Sequence, residues 1–281
     1  MILKSFSKIN LSLTVNKRLK KSKRKLHEIQ SYYCLIDLFD EIKLKKITGK
    51  KDVIKFHGKF SKFIDKKNNS IVNVLNLLRK KKIIANQYLV LINKRIPVFG
   101  GMGGGTSNAA CLIKYFVKKR NNKKLLKFFS QKIGSDLKLF FNKQGFLSNL
   151  STIKVFPKKH KLHFLLVYPN IKCSTKHIYS KVKNYSPKSK YDLKKVKTKD
   201  KLTELLTKKN NDLQSIVENE YPIIKKIIRD IAHKKGCLFS RMTGSGSVCY
   251  GVFESKKLAK DALNRVRSKY PKCWLSVAKT I

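Results

Sequence analysis

Acidic residues are scarce in this chain. Only 16 Asp and Glu stand against 66 Lys and Arg, a formal net charge of +50 over 281 residues. Such an excess invites a nucleic-acid reading, because neutralising phosphates supplies much of the affinity of such binders. The lysines, however, are dispersed through nearly every segment and form no single tail or stripe. They read as a solvated basic surface written by compositional bias, with weak, non-specific binding to polyanions expected. Long apolar runs are also missing. No stretch approaches the roughly 20 residues that span a bilayer, so no membrane partner is expected. The opening "MILKSFSKINLSLTV" alternates like a strand and does not resemble a signal peptide.

Paired cysteines are absent too. Cys34, Cys111, Cys173, Cys237, Cys249 and Cys273 are scattered, with no CxxC pair and no zinc-ligand spacing, and the six histidines complete no site. Reduced thiols and a cytoplasmic location are therefore expected. Between Lys66 and Tyr191 the only carboxylate is Asp136, in "KIGSDLKLFF". Position alone leaves two roles open for it, a helix cap or a catalytic acid–base group.

Against these absences stands a glycine concentration. "RIPVFGGMGGGTSNAACLIKYF" (95–116) carries five glycines within six residues, ahead of a run of helix formers. It is not a Walker A loop, because Thr106 and Ser107 come after Gly105 where that loop needs a lysine. Nor is it a dinucleotide fingerprint, because Thr106 stands where the last glycine belongs and no acid lies about 20 residues on. What remains is a strand, Pro97, a glycine loop and a helix. Glycines let backbone approach a ligand, and the amides and dipole of a helix start suit an anion. Thr106 and Ser107 add hydroxyls and can cap the helix. A second glycine loop, "SRMTGSGSVCYGVF" (240–253), places Gly244, Ser245 and Gly246 between two strands. On the first strand, alternation sets Lys8, Asn10 and Ser12 on the face opposite Ile9, Leu11 and Leu13, and a lysine there reads by default as a surface residue.

Periodicity predicts strands at 8–15, 31–38, 41–48, 53–57, 87–96, 162–169, 237–243, 248–253 and 273–278. It predicts helices at 71–82, 107–119, 175–182, 201–208, 212–218, 222–234 and 256–268. No repeat or linker stands out. The mixture lacks a regular βαβ rhythm, which implies an α+β protein of two domains with a boundary near 150–155.

"FSKINLSLTV", "PVFGGMGGGTSNAA", "GSDLKLFF" and "SRMTGSGSVCYGVF" occur in the order of the three motifs of the GHMP small-molecule kinases, and essentially the whole chain resembles that family. The resemblance implies an α/β two-domain GHMP fold. An ATP-binding domain resembling domain 2 of ribosomal protein S5 would span 1–152, and a ferredoxin-like domain would span 153–281. It implies ATP along Pro97, Val98, Phe99, Gly100, Gly101, Met102, Gly103, Gly104, Gly105, Thr106 and Ser107, with Asn69 near the adenine. Asp136 would accept the proton of an alcohol, and Lys8 would hold that carboxylate charged and steady the phosphoryl group in flight. Asn10, Thr175, Gly244, Ser245 and Gly246 would hold the acceptor. His27, Tyr33 and Tyr179 would meet its base, because the closest resemblance within the family is to a kinase whose substrate carries a cytidine diphosphate group. Mg²⁺ would arrive with ATP, held by phosphates and water rather than by a protein metal site. No specific nucleic-acid partner is implied, and the assembly would be a monomer or homodimer. Departures are Lys25-Leu26-His27, where the family has Gly-Tyr-His, Phe99 in place of a small residue, and Lys138 in place of a proline. Rival readings are a GHMP kinase for mevalonate, homoserine or a sugar, and a basic RNA-binding protein with an S5-like domain.

Overall fold

The computed structural model describes residues 2–19, 26–117, 123–156, 158–189 and 196–281. Lys25 and the expected helix end at 118–119 lie outside them. The chain forms two compact units interleaved in sequence. One gathers Met1–Lys8, Leu38–Val98 and Gly103–Phe141, and the other gathers Ile9–Asp37, Phe99–Met102 and Asn142–Ile281. The sequence boundary at 150–155 falls inside the second unit.

The first unit is built from β1 (Ile2–Asn10, through Lys8), the second half of β3 (His27–Ile47), β4 (Val53–His57) and β5 (Gln87–Asn93). Strands β4 and β5 run parallel, and β5 pairs antiparallel with residues 41–47 of β3. Helices α1 (Ser70–Lys80) and α2 (Gly104–Val117) pack on each other, and α3 (Lys123–Ile133) leads into a 3-10 turn at Ser135–Phe141. Apolar residues three and four apart explain the burial of Ile71, Val74, Leu75 and Leu78 on α1 and of Ala109, Leu112 and Ile113 on α2.

In the second unit the first half of β3 pairs with β2 (Thr14–Arg18) and β6 (Gln144–Leu147), and β6 pairs with β7 (Ile153–Val155). A separate antiparallel sheet has the order β11 (Trp274–Lys279), β8 (His163–Tyr168), β10 (Cys249–Phe253), β9 (Cys237–Met242). With α7 (Pro222–Ala232) on β9 and β10 and α8 (Lys256–Lys269) on β8 and β11, this is the split β-α-β arrangement of ferredoxin-like folds. Three short helices, α4 (Thr175–Ser180), α5 (Lys199–Thr207) and α6 (Gln214–Glu220), occupy the connection from β8 to α7.

Several sequence expectations change. The strand expected at 8–15 is two strands, broken at 11–13 where Leu11 N–H turns to Tyr32 O and Leu13 N–H to Asn210 O. Strands 31–38 and 41–48 are one strand, which continues through Asp40 because that residue is buried with its charge fully partnered. The helix expected from 107 starts at Gly104. Thr106 and Ser107 therefore lie inside its first turn and do not cap it. Helix α3 escaped notice because its apolar face is interrupted by lysines.

Candidate active site

Lys8 is not on the surface. It is 3% exposed, because both faces of β1 are covered and alternation marks only one of them. Its Nζ lies 3.6 Å from Asp136 Oδ2, and Asp136, near the start of the 3-10 turn, is 35% exposed. Burial pulls the Lys8 ammonium below the usual lysine range, and the Asp136 charge opposes that fall. The pair thus sets a buried cation against a carboxylate that still reaches solvent.

The start of α2 belongs to the same unit. Gly103 has φ +68°, and a Cβ there would lie 2.8 Å from Phe140 Cζ and 3.3 Å from Lys8 Cε. Only glycine brings the backbone this close to the ion pair. Ser107 N–H donates to Gly103 O, so the amides of Gly104, Gly105 and Thr106 precede the first intrahelical bond and point outward from the helix start. Ser107 Oγ instead turns back to β1, where it meets Ser5 Oγ at 2.8 Å and donates to Phe6 O at 2.5 Å. Ser5 also donates to Asn108 Oδ1. These bonds pin α2 to β1, the strand that carries Lys8. Asn69 caps α1, accepting from Ile71 N–H and Val72 N–H and donating to the carbonyls of Asp65 and Lys66. Pro97 is buried and Val98 is partly exposed.

The second unit holds the other half of the glycine loop. Phe99 has φ +61°, uncommon for a bulky residue, and its ring is exposed. The backbone there is held from outside the loop, with Ser247 N–H donating to Phe99 O and Val248 N–H to Gly100 O. Gly101, at φ +73°, leaves no room for a side chain, since a Cβ would lie 2.2 Å from Thr243 O. Met102 is buried.

That second glycine loop also holds Asn10. Asn10 N–H donates to Thr243 Oγ1, its side-chain amide donates to Ser31 Oγ, and Tyr250 OH donates to the carbonyls of Asn10 and Leu11. The buried Arg241 guanidinium donates to the carbonyls of Leu11, Leu206 and Thr207. Asn211 donates to the carbonyls of Met242 and Gly244. Arg241, Asn211 and Tyr250 escaped the sequence reading, because nothing local ties them to Asn10 or to the loop. Thr175 and Ser245 share a hydrogen bond of 2.9 Å. One turn further along α4, Tyr179 lies 5.2 Å, centroid to centroid, from the ring of His27. The helix therefore joins a hydroxyl pair at one end to an aromatic cluster at the other. Tyr185, also unforeseen, stacks on His27 at 6.2 Å and is 42% exposed. Tyr33 does not join this group, being fully buried beside Gly145 of β6. Burial, and next the charge of Arg18, push the His27 ring below the usual histidine range. It is neutral at pH 7, with one donor and one acceptor nitrogen. Among the described residues there is no cluster of three or more His, Cys, Asp or Glu that would hold a metal ion, and no helix is long and apolar enough to cross a membrane.

The two-sheet fold and its glycine-loop helix are those of the GHMP kinases. Residues 193–272 match the model described as "GHMP kinases C terminal". A solved 4-(cytidine 5'-diphospho)-2C-methyl-D-erythritol kinase superposes over 99% of both chains, with a TM-score of 0.73 at 19% identity. Among curated sequences, the 4-diphosphocytidyl-2-C-methyl-D-erythritol kinase of Pelagibacter ubique is 39% identical, with 99% of this chain and 98% of the relative covered. That of Thermoanaerobacter pseudethanolicus is 31% identical, with 95% and 92% covered. The chain belongs to the 4-diphosphocytidyl-2-C-methyl-D-erythritol kinase family.

Proposed function

We propose that this enzyme transfers the γ-phosphoryl group of ATP to the 2-hydroxyl of 4-diphosphocytidyl-2-C-methyl-D-erythritol, in the non-mevalonate route to isoprenoids. The observation that carries the chemistry is the Lys8–Asp136 pair, 3.6 Å apart, against the glycine-opened start of α2. In this reading the triphosphate takes the loop amides from Phe99 to Thr106, and Asn69 and Pro97 border the adenine. Asp136 accepts the hydroxyl proton, the oxygen attacks the γ-phosphorus, and ADP leaves with the electrons of the broken P–O bond. Lys8 offsets charge on the transferring group. Phosphoryl transfer asks for little else, since positioning and charge neutralisation do most of the work.

The acceptor's diphosphate and erythritol portion falls to Asn10, Thr175 and the Gly244–Gly246 loop. Its cytosine falls to neutral His27 and the tyrosine beside it. Mg²⁺ comes with the nucleotide, held mainly by phosphates and water. The protein works in the cytoplasm, on small molecules, as a monomer or homodimer.

Asp136→Asn is the direct test. ADP release in the presence of the acceptor should fall at least about 1,000-fold, while ATP binding measured by calorimetry stays within a few-fold. Undiminished turnover would overturn the role of Asp136. Substrate class is tested by offering mevalonate and homoserine in parallel, and turnover of those alone would move the enzyme to another branch of the family. A protein that bound RNA tightly and turned over no alcohol would leave Asp136 without a role.

A further inference from the structure

Asp40 and Lys94 form an ion pair in the first unit that the proposed reaction does not use. They are 0% and 1% exposed. Lys94 Nζ donates to Asp40 Oδ2, while Oδ1 accepts from the backbone N–H groups of Arg95 at 2.8 Å and Ile96 at 2.9 Å. The backbone of Lys94 is itself held on both sides. Its N–H donates to His57 O at 2.8 Å, and its carbonyl accepts from Phe60 N–H at 3.3 Å. Residues 94–96 are thus fixed immediately ahead of Pro97, where the glycine loop is entered.

The loop's exit lies against the same residues. A Cβ on Gly104, the first residue of α2, would be 3.1 Å from Ile96 Cγ2 and 3.4 Å from Lys94 Nζ. Entry and exit of the loop therefore meet on one ionic anchor. A buried ion pair is weak ground for stability, since well-packed apolar residues of the same volume usually serve as well. Asp40 also sits within β3, where an apolar residue would keep the strand. Its second oxygen and the neighbouring ammonium gain their meaning from the chain they hold in place.

We propose that Asp40 and Lys94 are positioning residues for the nucleotide loop. They set the spacing of its two ends and so the direction of the amides that open α2, which makes them determinants of ATP affinity without touching ATP. The identity of the ligand rests on the kinase reading above, but the test does not require turnover. ATP dissociation constants are measured by calorimetry on the intact chain, beside steady-state kinetics, for the wild type, Lys94→Met and the double variant Asp40→Asn/Lys94→Met. In the double variant the asparagine oxygen still serves the two backbone N–H groups and no buried charge is left alone.

The double variant is expected to unfold cooperatively near the wild-type temperature. Its Kd and KM for ATP should rise at least fivefold, while the acceptor KM stays within twofold. Lys94→Met, which strands the Asp40 charge, should lose more ATP affinity and also lower Tm. A folded double variant that binds ATP as tightly as the wild type overturns the proposal. So does an equal rise in both KM values, which is what general loosening produces. Should the double variant not fold, Gly104→Ala decides. Its added methyl presses on the Ile96 side chain beside the anchor and should raise the ATP Kd at least fivefold, and an unchanged Kd refutes the anchor. A wild type that binds ATP but phosphorylates no alcohol would refute the kinase reading, and the change in ATP Kd between variants would still decide the role of the pair.

Discussion

The two glycine loops differ in the element each one enters. The first leads into α2, a helix of 14 residues, and its last amides have no carbonyl within the helix to bond. The second joins β9 to β10, two antiparallel strands, and several of its polar groups are bonded inside the protein. Asn211 takes the carbonyls of Met242 and Gly244, Gly246 N–H donates to Thr243 O, and Ser247 Oγ donates to Ile171 O. Ser247 and Val248 then hold the backbone of Phe99 and Gly100. In the proposed reading, glycine in the first loop exposes donors to an anion. In the second it lets a turn serve as a frame, both for the first loop's opening residues and for Asn10.

The largest effect that separates the loops is expected from Gly103→Ala. The new methyl would meet Phe140 and Lys8, and the residue would have to hold a left-handed φ. Displacing the loop by about 1 Å from the ion pair should cost on the order of 100-fold in turnover, and Tm should fall as well, because a left-handed alanine against buried Phe140 strains the fold. Turnover within threefold of wild type would show that the close approach to Lys8 is incidental.

Asn211→Ala probes the frame. Two hydrogen bonds to the carbonyls of the second loop are lost, each worth about 1 kcal/mol. The acceptor KM should rise about tenfold with the ATP KM nearly constant. An equal rise in both would mean that the second loop serves the nucleotide as much as the acceptor.

How far these roles are legible in the sequence depends on the range of the contacts. Glycine density, the motif order and the Asp136 solitude are local, and they marked the loop, the family and the carboxylate that pairs with Lys8. The apolar spacing of α1 and α2 marked their buried faces. The partner of Asp40 lies 54 residues away, so β3 looked broken where it is continuous. Lys8 looked exposed because a two-residue period reports one face of a strand and says nothing of what covers the other. The interleaving of residues 9–37 and 99–102 with 142–281 leaves no trace in composition. Tyr33 and Tyr185 could not be told apart, since an aromatic that fills a sheet and one that offers a ring to a ligand are written with the same letter.

A smaller effect tests the acceptor side by pH. The His27 ring is held below its ordinary value of about 6.5, first by burial and next by Arg18. Both causes disfavour the charged form, so the neutral ring should persist as pH falls through that value. The acceptor KM should then stay flat down to about pH 6.5 and rise only below it. Arg18→Gln removes one cause, raises the pKa, and should bring the rise in at higher pH. Ring titration by NMR beside KM at each pH checks it, and an unmoved profile would remove Arg18 from the account.

The smallest effect concerns the tyrosine that stacks on His27 from the surface. Leu26, the residue before His27, is aliphatic, and Tyr185 is an exposed ring stacked on His27. A base–aromatic contact is worth about 1 kcal/mol, close to a fivefold change in affinity. Tyr185→Leu should raise the acceptor KM by about that factor and leave the ATP KM alone, and Leu26→Tyr should lower the acceptor KM by a similar factor. The two changes should add if the rings occupy separate faces of the base. If Leu26→Tyr restores affinity in the Tyr185→Leu background but gains nothing on its own, the rings compete for one face. Tyr185 would then stand in for the aromatic that position 26 lacks.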